Sequence, residues 1–446
     1  MADLLDLSAE IIDGGLTDRP VNRVTNELSE VAPGVALVES FSHSVVIDTG
    51  DGLVAFDASG GQSGAAVAAA IAGWSNAPVR HLVYTHGHAD HVGGSRAFAA
   101  RWGAPTVIGH ENVARRLDRY AATNDWNIRI NIRQFGGIGS DLRLGLSPDE
   151  TAPASGAGAD WTSFIPEGTL RPEIAVTDHH VQTVGDMTFD LRHAVGETDD
   201  HLWGWIPEHR AVVTGDFVIW NFPNAGNPQK VQRYPAEWAA ALRSIAAMDP
   251  DLLLPAHGLP IAGRARIASV LDTIAGALET LVAEVVAAMN AGETLDSIVH
   301  SVRVPDDTLA LPYLRPLYDE PEFVVRNIWR LYGGWWDGAA SRLKPAPDAR
   351  LATVLADLAG GAGRLADSAR EHSALGDHRL ASHLADLAAW AEPDDPGIHR
   401  TRSEVYLARR RAESSLMSKG IFAAAARESQ AVVEAAEAPS GGAGDE

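Results

Sequence analysis

Four potential metal ligands lie within six residues of one another in the segment His86-Gly87-His88-Ala89-Asp90-His91. The segment directly follows the apolar run Leu82 to Tyr84, which predicts a buried strand, and a glycine pair and a helical stretch come next. A loop at the end of a strand therefore aims two imidazoles at one point, and a carboxylate and a third imidazole at a neighbouring point. Because imidazole and carboxylate together suit Zn²⁺ and related divalent ions, this segment predicts a metal site.

Composition and charge restrict the possible chemistry and partners. The sequence contains no Cys, so any metal must be held by His, Asp and Glu, and a cysteine nucleophile is excluded. The formal net charge of -23 argues against a nucleic-acid-binding surface and against docking on anionic lipid. The acidic N terminus lacks the features of a signal peptide, and no apolar run reaches the roughly 18 residues that span a bilayer. These observations predict a cytoplasmic protein with no membrane span.

The pattern along the chain changes after residue 263. Before it, strands flanked by helices on both sides predict a layered α/β sandwich. Within this part, residues 124–173 are rich in Gly, Pro and Ser and contain scattered aromatics, which predicts an active-site loop that packs over something. Apolar residues at helical spacing then predict an all-α domain over 264–430. The small, acidic residues 431–446 predict a disordered tail.

Three later segments place further potential ligands just past strands. Glu197 lies in a turn after one strand, Asp216 follows the next, and His257 follows the last strand of the first domain. One edge of the sheet would therefore carry every ligand. That convergence is what a metal centre needs and what scattered His residues would not produce.

The segment His86 to His91, with Asp216 and His257 in order, resembles the metallo-β-lactamase superfamily of dinuclear metal hydrolases. The resemblance covers roughly residues 30 to 265 and implies an αββα sandwich. The metal ligands that it implies are His86 and His88 for the first metal, Asp90, His91 and His257 for the second, and Asp216 in the place of the bridging carboxylate.

Glu197 lies where the superfamily usually has a third imidazole for the first metal, and a Glu there resembles the alkyl sulfatase branch. The segment Trp203 to Ala211 is similar to that branch, and Gly333 to Gly338 looks like part of its dimerisation domain. The resemblance thus implies a catalytic domain over 1–263 and a helical dimerisation domain over 264–430, which predicts a homodimer. It implies two Zn²⁺ ions, although Mn or Fe would suit the same ligands.

The branch implies hydrolysis of an alkyl sulfate ester by a hydroxide held at the zinc ions, with Asp90 and Asp216 as catalytic residues. Two alternatives stay open. One is a hydrolase of another ester-type bond, such as a lactone, thioester or phosphodiester, and the other is a non-catalytic metal-binding scaffold. Because the sequence ends at residue 446, we expect no sterol-carrier-like C-terminal domain and a shorter or different substrate.

Other polar residues are predicted to contact the substrate, to support a ligand or to have local roles. Lys230 and Arg233 are predicted to contact the anionic substrate, with surface charges as the alternative. His201, four residues after Glu197, is predicted to support a ligand through a hydrogen bond. The residues predicted to have local or structural roles are Asp199, Asp200, His43, His110, His193 and His209, and the pair His179-His180 on a strand surface. The pair Trp335-Trp336 is predicted to lie in a core or an interface.

Overall fold

The computed structural model describes residues 4–135 and 162–438, and within them it contains two β-sheets and many helices. The strands of the first sheet, in spatial order, are β1 Leu28–Ala32, β2 Val35–Val38, β3 Ser44–Asp48, β4 Leu53–Phe56, β5 Val79–Val83, β6 Thr106–His110 and β7 Ile174–Val176. The strands of the second sheet are β8 His179–Val184, β9 Met187–Ala194, β10 His201–Ile206, β11 Ala211–Gly215, β12 Leu252–Pro255 and β13 Ile261–Ala262, which also neighbour one another in chain order.

Helices pack on the outer faces of the sheets, and further helices make up the C-terminal part of the described chain. Those of the first part are α1 Leu4–Gly14, α2 Gly64–Trp74, α3 Ala89–Val92, α4 Ser95–Trp102, α5 Asn112–Ala122, α6 Asn124–Gln134 and α7 Pro235–Ala246, with a 3₁₀ turn at Pro207–His209. Those that follow are α8 Arg264–Asn290, α9 Leu295–Ser301, α10 Asp306–Leu309, α11 Pro321–Gly333, α12 Ala340–Leu343, α13 Asp348–Ala359, α14 Ala362–Ala374, α15 His378–Ala391, α16 Pro396–Ala412 and α17 Leu416–Glu437.

The sandwich follows from the period of two along each strand. In β3, Val45 and Ile47 face the core between the two sheets, whereas Val46 faces the cluster formed with α2, α4 and α5. Both faces of the sheet are therefore apolar, and each needs a covering layer. On the second sheet, α7 and α8 pack against β9 and β12. The predicted α/β sandwich followed by a helical region is confirmed.

Strand direction brings several strand ends to one edge. β4, β5, β6 and β7 run parallel to one another in the first sheet, and β11 runs parallel to β12 in the second. Parallel strands end at the same edge, so the turns after β5, β11 and β12 can meet there.

The C-terminal helices form a unit with its own core. Alanines such as Ala366 and Ala388 are buried between α14, α15 and α16, and small side chains let helices approach closely. Three of these helices begin with a side-chain cap: Asp377 on α15, Asp395 on α16 and Ser415 on α17 each accept a backbone N–H of the first turn.

Two predicted boundaries differ from the structure. Residues 124–134 form helix α6 and not a loop, while residues 136–161 of the predicted active-site loop lie outside the described residues. Helix α17 continues to Glu437, so residues 431–437 are helical and not part of a tail. The described residues form one compact unit of residues 4–129 and 162–337 and a second of residues 130–135 and 338–438, and the domain boundary after residue 263 stays a prediction. No helix among the described residues is both long and apolar enough to cross a bilayer.

Candidate metal centre

All seven predicted ligands lie at one edge of the sandwich and form two clusters among the described residues. The first cluster contains His86, His88, Glu197 and Asp216, and the second contains Asp90, His91 and His257. Within each cluster, the potential ligand atoms lie within 4.8 Å of one another. Strand ends explain the convergence, because these residues follow β5, β9, β11 and β12 or lie in the short helix α3.

The first cluster joins two imidazoles to two carboxylates. Nε2 of His86 lies 2.8 Å from Nδ1 of His88. That Nδ1 is 3.7 Å from Oε1 of Glu197, and Nε2 of His86 is 3.9 Å from Oδ2 of Asp216. Ring nitrogens and carboxylate oxygens therefore point toward one common volume.

The second cluster shares Asp216 with the first. Oδ1 of Asp216 lies 3.4 Å from Nε2 of His91 and 3.4 Å from Nε2 of His257. Oδ2 of Asp90 is 3.5 Å from Nε2 of His91 and 3.6 Å from Nε2 of His257. Because Oδ1 of Asp216 faces the second cluster and Oδ2 faces His86 in the first, this carboxylate lies between the two.

Several buried atoms at this edge suit a bound cation. Within the described part of the chain, Nε2 of His91, Oδ1 of Asp216 and Oε2 of Glu197 are buried and have no hydrogen-bond partner. Buried polar atoms are almost always paired, and orphaned imidazole and carboxylate atoms that converge are typical of metal ligands. The donor set of imidazole nitrogens and carboxylate oxygens suits Zn²⁺ or a related divalent ion. The fold and these clusters together indicate a metal site.

The protonation states of His86, His88 and Asp216 agree with this interpretation. Burial lowers the pKa of His86 and of His88 well below the usual range, so both rings are neutral, the form in which imidazole binds metal. Although burial opposes the ionised form, His257 and His91 hold the pKa of Asp216 well below its usual range. Burial raises the pKa of Glu197 well above its usual range. Cations bound at this edge would favour the ionised form of Glu197 and would therefore lower its pKa.

Asp57, which was not identified from the sequence, orients His91. Oδ2 of Asp57 lies 2.8 Å from Nδ1 of His91, and Thr85 donates to both oxygens of Asp57, each at 2.7 Å. This bond leaves Nε2 of His91 for the second cluster, the arrangement by which carboxylates commonly hold metal-binding His. Asp57 directly follows β4, so its position just past a strand was a signal that could have found it.

Glu197 is held by two side chains that approach the same oxygen. Nδ2 of Asn224 donates to Oε1 at 2.5 Å, and Nη1 of Arg233 is also 2.5 Å from Oε1. Arg233 is therefore a buried ion-pair partner, only 2% exposed, and not a surface charge. Its predicted contact with a substrate anion would have to use other guanidinium nitrogens and stays a prediction. Asn224 was not identified from the sequence.

Asp200 supports the loop that carries His86 and His88. Oδ2 of this buried carboxylate accepts from Nε of Arg116 at 2.6 Å and from the backbone N–H of Gly87 at 3.2 Å. Asp199 pairs with the same guanidinium. Neither carboxylate belongs to a ligand cluster, and Asp200 does more than form a turn.

His201 lies directly behind Asp216. Its Nε2 accepts from the backbone N–H of Asp216 at 3.3 Å, and its ring stacks on Phe217 with centroids 4.1 Å apart. Burial lowers the pKa of His201 to about 3, so the ring is neutral. The ring thus contacts the backbone of Asp216, and its role in supporting a ligand stays a prediction.

Lys230 is half-buried near the clusters. Its Nζ lies 5.8 Å from the centre of the Phe164 ring. Burial lowers the pKa of Lys230 to about 8, and nearby Arg233 acts in the same direction. Asp90 and Glu197 act in the opposite direction, so the ammonium is within electrostatic reach of both clusters.

The remaining histidines and the Trp pair lie outside the clusters. His43 is buried and bonds to Gly258 O at 2.7 Å, next to His257. His110 stacks on His193 with ring centroids 3.9 Å apart. His179 and His180 lie on β8, and His209 ends the 3₁₀ turn. Trp335 is 71% exposed within the chain, so it is not a core residue.

Comparison with family models and relatives agrees with the geometry. Residues 37–257 match the metallo-beta-lactamase superfamily, and residues 294–431 match alkyl sulfatase dimerisation. The chain is 25% identical over 372 residues to a linear primary-alkylsulfatase from Pseudomonas sp., which covers 80% of this chain and 67% of that relative. It is 22% identical over 330 residues to an alkyl/aryl-sulfatase from Saccharomyces cerevisiae, which covers 71% of this chain and 50% of that relative.

A solved structure shares the fold. The stereoselective inverting secondary alkylsulfatase from Pseudomonas sp. superposes with a TM-score of 0.78 at 20% identity, covering 91% of this chain and 66% of that chain. The chain spans about half to two thirds of the length of these relatives. The fold and the relatives support a metal-dependent hydrolase. The two family models together match most of the chain, which therefore contains a metallo-beta-lactamase superfamily domain followed by an alkyl sulfatase dimerisation domain.

Proposed function

We propose that this protein is a dinuclear zinc hydrolase that cleaves alkyl sulfate esters. The observation that carries the proposal is the pair of ligand clusters that share Asp216, with Glu197 in the first of them. Relatives named alkylsulfatases support the substrate class. His86, His88, Glu197 and Asp216 would hold one ion, and Asp90, His91 and His257 the other, with Asp216 between them.

The residues at this site would hold the metal ions and orient the groups that take part in hydrolysis. When bound, two Zn²⁺ ions would supply Lewis acidity toward the ester oxygens and water of lowered pKa at the site. Asp90 and Asp216 are the proposed catalytic residues, because both carboxylates face Nε2 of His91 and of His257. Asp57 holds the orientation of His91.

The Lys230 ammonium is the proposed contact for the substrate anion. Within a chain of net charge -23, an anionic ester needs local positive charge. Lys230 provides such a charge within electrostatic reach of Asp90 and Glu197, and the Phe164 ring lies beside it. An apolar ring next to an ammonium would suit a substrate with a charged head and an alkyl chain.

The proposal is tested with zinc-loaded protein and a panel of primary and secondary alkyl sulfates, lactones, thioesters and phosphodiesters. We expect sulfate release that a chelator abolishes and that Glu197→Gln reduces strongly, whereas Glu237→Gln, an exposed change on α7, leaves the rate unchanged. Turnover of only another ester class would replace the proposed substrate. Binding of two metal equivalents with no turnover on any compound would instead favour a non-catalytic scaffold.

We further propose that the helical unit forms a homodimer. Helix α13 exposes Leu351, Val354 and Leu358, which are 50%, 51% and 80% exposed and lie on one helical face by their spacing. An exposed apolar stripe of this kind is typical of an interaction surface. The match of residues 294–431 to alkyl sulfatase dimerisation supports a second copy of this chain as the partner.

A further inference from the structure

The segment between β11 and α7, residues 216–234, carries polar groups around Glu197 but has no helix or strand of its own. Asn224 and Arg233 both bond to Oε1 of Glu197, and Lys230 lies nearby. Groups on irregular backbone keep their geometry only where other parts of the structure hold that backbone. The contacts of this segment lead to residues 315–330, at and before helix α11.

Asp319 binds the middle of the segment through backbone N–H groups. Its Oδ2 accepts from Gly226 N at 2.7 Å and from Asn227 N at 3.1 Å. Its Oδ1 accepts from Glu320 N at 2.8 Å, next to the start of α11. Asp319 is fully buried, so breaking these bonds would leave polar groups without water. One carboxyl group therefore connects the segment to α11.

Asn327 contacts the segment at two points. Its Nδ2 donates to Ala225 O at 2.9 Å and to Arg233 O at 2.8 Å. Its Oδ1 accepts from Nε2 of Gln232 at 3.0 Å and from Nη2 of Arg330 at 3.1 Å. This amide uses both of its donors and both lone pairs of its oxygen, which defines its orientation. Asn327 is 4% exposed and so joins residues 225 and 233 inside the protein.

The backbone itself approaches α11 at Gly226. A Cβ at this position would lie 2.4 Å from the carbonyl carbon of Phe323 and from the nitrogen of Val324. Only glycine permits such a close approach. Nearby, Phe222 N donates to Arg315 O at 3.0 Å. Main-chain and side-chain contacts therefore hold the segment against the same stretch.

We propose that Asp319 and Asn327 are positioning residues that hold residues 222–233 so that Asn224 and Arg233 meet Oε1 of Glu197. Oε2 of Glu197, which lacks a hydrogen bond within the described residues, is then left for the metal centre. Both positioning residues lie within 294–431, the part that matches alkyl sulfatase dimerisation. Helix α11 and the residue Asp319 before it thus also support the site. The activity part of this inference rests on the proposed function.

Asn327→Asp tests the inference, because it keeps the side-chain shape but replaces two N–H donors by an oxygen facing two carbonyl oxygens. We expect amide hydrogen exchange over residues 222–233 to become at least about tenfold faster. We also expect kcat/KM for an alkyl sulfate to fall about tenfold to a hundredfold, mainly through kcat, since Glu197 is misplaced. Zinc affinity, measured by chelator competition, should fall in parallel.

The matched control is Arg326→Gln, which changes an exposed side chain of the same helix that pairs with Glu322 at the surface. Exchange, zinc affinity and kinetics should remain as in the native chain. Asp319→Asn is the second variant and should accelerate exchange at Gly226 and Asn227 in particular. If Asn327→Asp does not fold, Asn327→Ser is the milder replacement, since its hydroxyl can still donate to one carbonyl.

The outcomes separate this inference from the proposed function. Native exchange, native zinc affinity and native kcat in the folded variants would overturn the inference. If the native chain cleaves no alkyl sulfate, the proposed function fails, but exchange and zinc affinity still decide the inference. Faster exchange together with weaker zinc binding supports it, and native values of both contradict it.

Discussion

His91 depends on one carboxylate that lies outside both ligand clusters. Asp57 occupies Nδ1 of the imidazole at 2.8 Å, and Thr85 in turn occupies both oxygens of Asp57. This hydrogen bond leaves Nε2 of His91 facing Asp90 and Asp216. At the scale of single residues, His91 is thus a potential ligand whose second ring nitrogen is already bonded.

Asp57→Asn should weaken zinc binding about tenfold to a hundredfold, as loss of a partner of a metal-binding His typically does. The backbone at Asp57 has a φ of 59°, a conformation that Asn adopts readily, so the change tests the carboxylate and not the turn. Chelator competition measures the affinity.

Asp51→Asn is the control for this change, because Asp51 is exposed and pairs with Arg80 at the surface. It should bind zinc like the native chain. An unchanged zinc affinity in Asp57→Asn would show that the carboxylate does not orient His91.

The turn after β12 illustrates a constraint at the scale of elements. Gly258 follows His257 with a φ of 90°, and a Cβ there would lie 2.2 Å from Cδ1 of the Trp220 ring. That ring is fully buried, and its Nε1 donates to Leu259 O at 2.8 Å. The indole therefore cannot move away from the turn without losing this bond.

Gly258→Ala should displace His257 and reduce the metal bound at the second cluster, because the new methyl group cannot fit beside Trp220. Elemental analysis after dialysis should show a loss of up to one of the two proposed metal equivalents. Gly263→Ala has a similar φ of 99°, but its methyl would meet only the end of Arg266, at 3.3 Å. Gly263→Ala should keep the native metal content. An equal loss of metal in both variants would show that the positive φ, and not the contact with Trp220, causes the loss.

Helix α13 should be part of the dimer contact. Leu351→Glu combined with Leu358→Glu places two charges on its exposed apolar face, which would be desolvated in an interface. We expect light scattering to show a monomer for this variant and a dimer for the native chain. Leu375→Glu, an 82% exposed position at the end of α14, is the control and should remain a dimer. A dimeric double variant would exclude the α13 face.

At the scale of the whole molecule, metal binding should increase the stability of the folded chain. Asp90, Glu197 and Asp216 converge with the imidazoles of four His residues, and burial disfavours the charge of Glu197. Cations that bind only the folded chain stabilise it by mass action.

Removal of metal should therefore destabilise the protein. With free zinc at a hundred times Kd, each site contributes about 2.7 kcal/mol to the free energy of unfolding, and a chelator should remove this contribution. Denaturant unfolding with zinc and with chelator measures the difference, and added zinc should restore it. Equal unfolding curves under both conditions would contradict the two-cluster interpretation.

The ligands were predictable because each lies just past a strand or within one short motif, so the local pattern of His86 to His91 located the edge. Asp57, Asn224 and Arg116 were not identified, since their roles depend on contacts across 27 to 84 residues of chain. Helix α6 was hidden by its Gly- and Pro-rich surroundings, because composition over residues 124–173 outweighed a short helical stretch.

The sequence by itself determined the two-part fold, the seven potential ligands that converge and the family resemblance, because apolar periodicity and strand-end residues act locally. Only the tertiary structure decided that Arg233 pairs with Glu197, that Asp216 lies between both clusters, and that α11 holds the segment around Asn224. These features arise where distant segments meet, and spacing along the chain carries no information on which buried charges pair there.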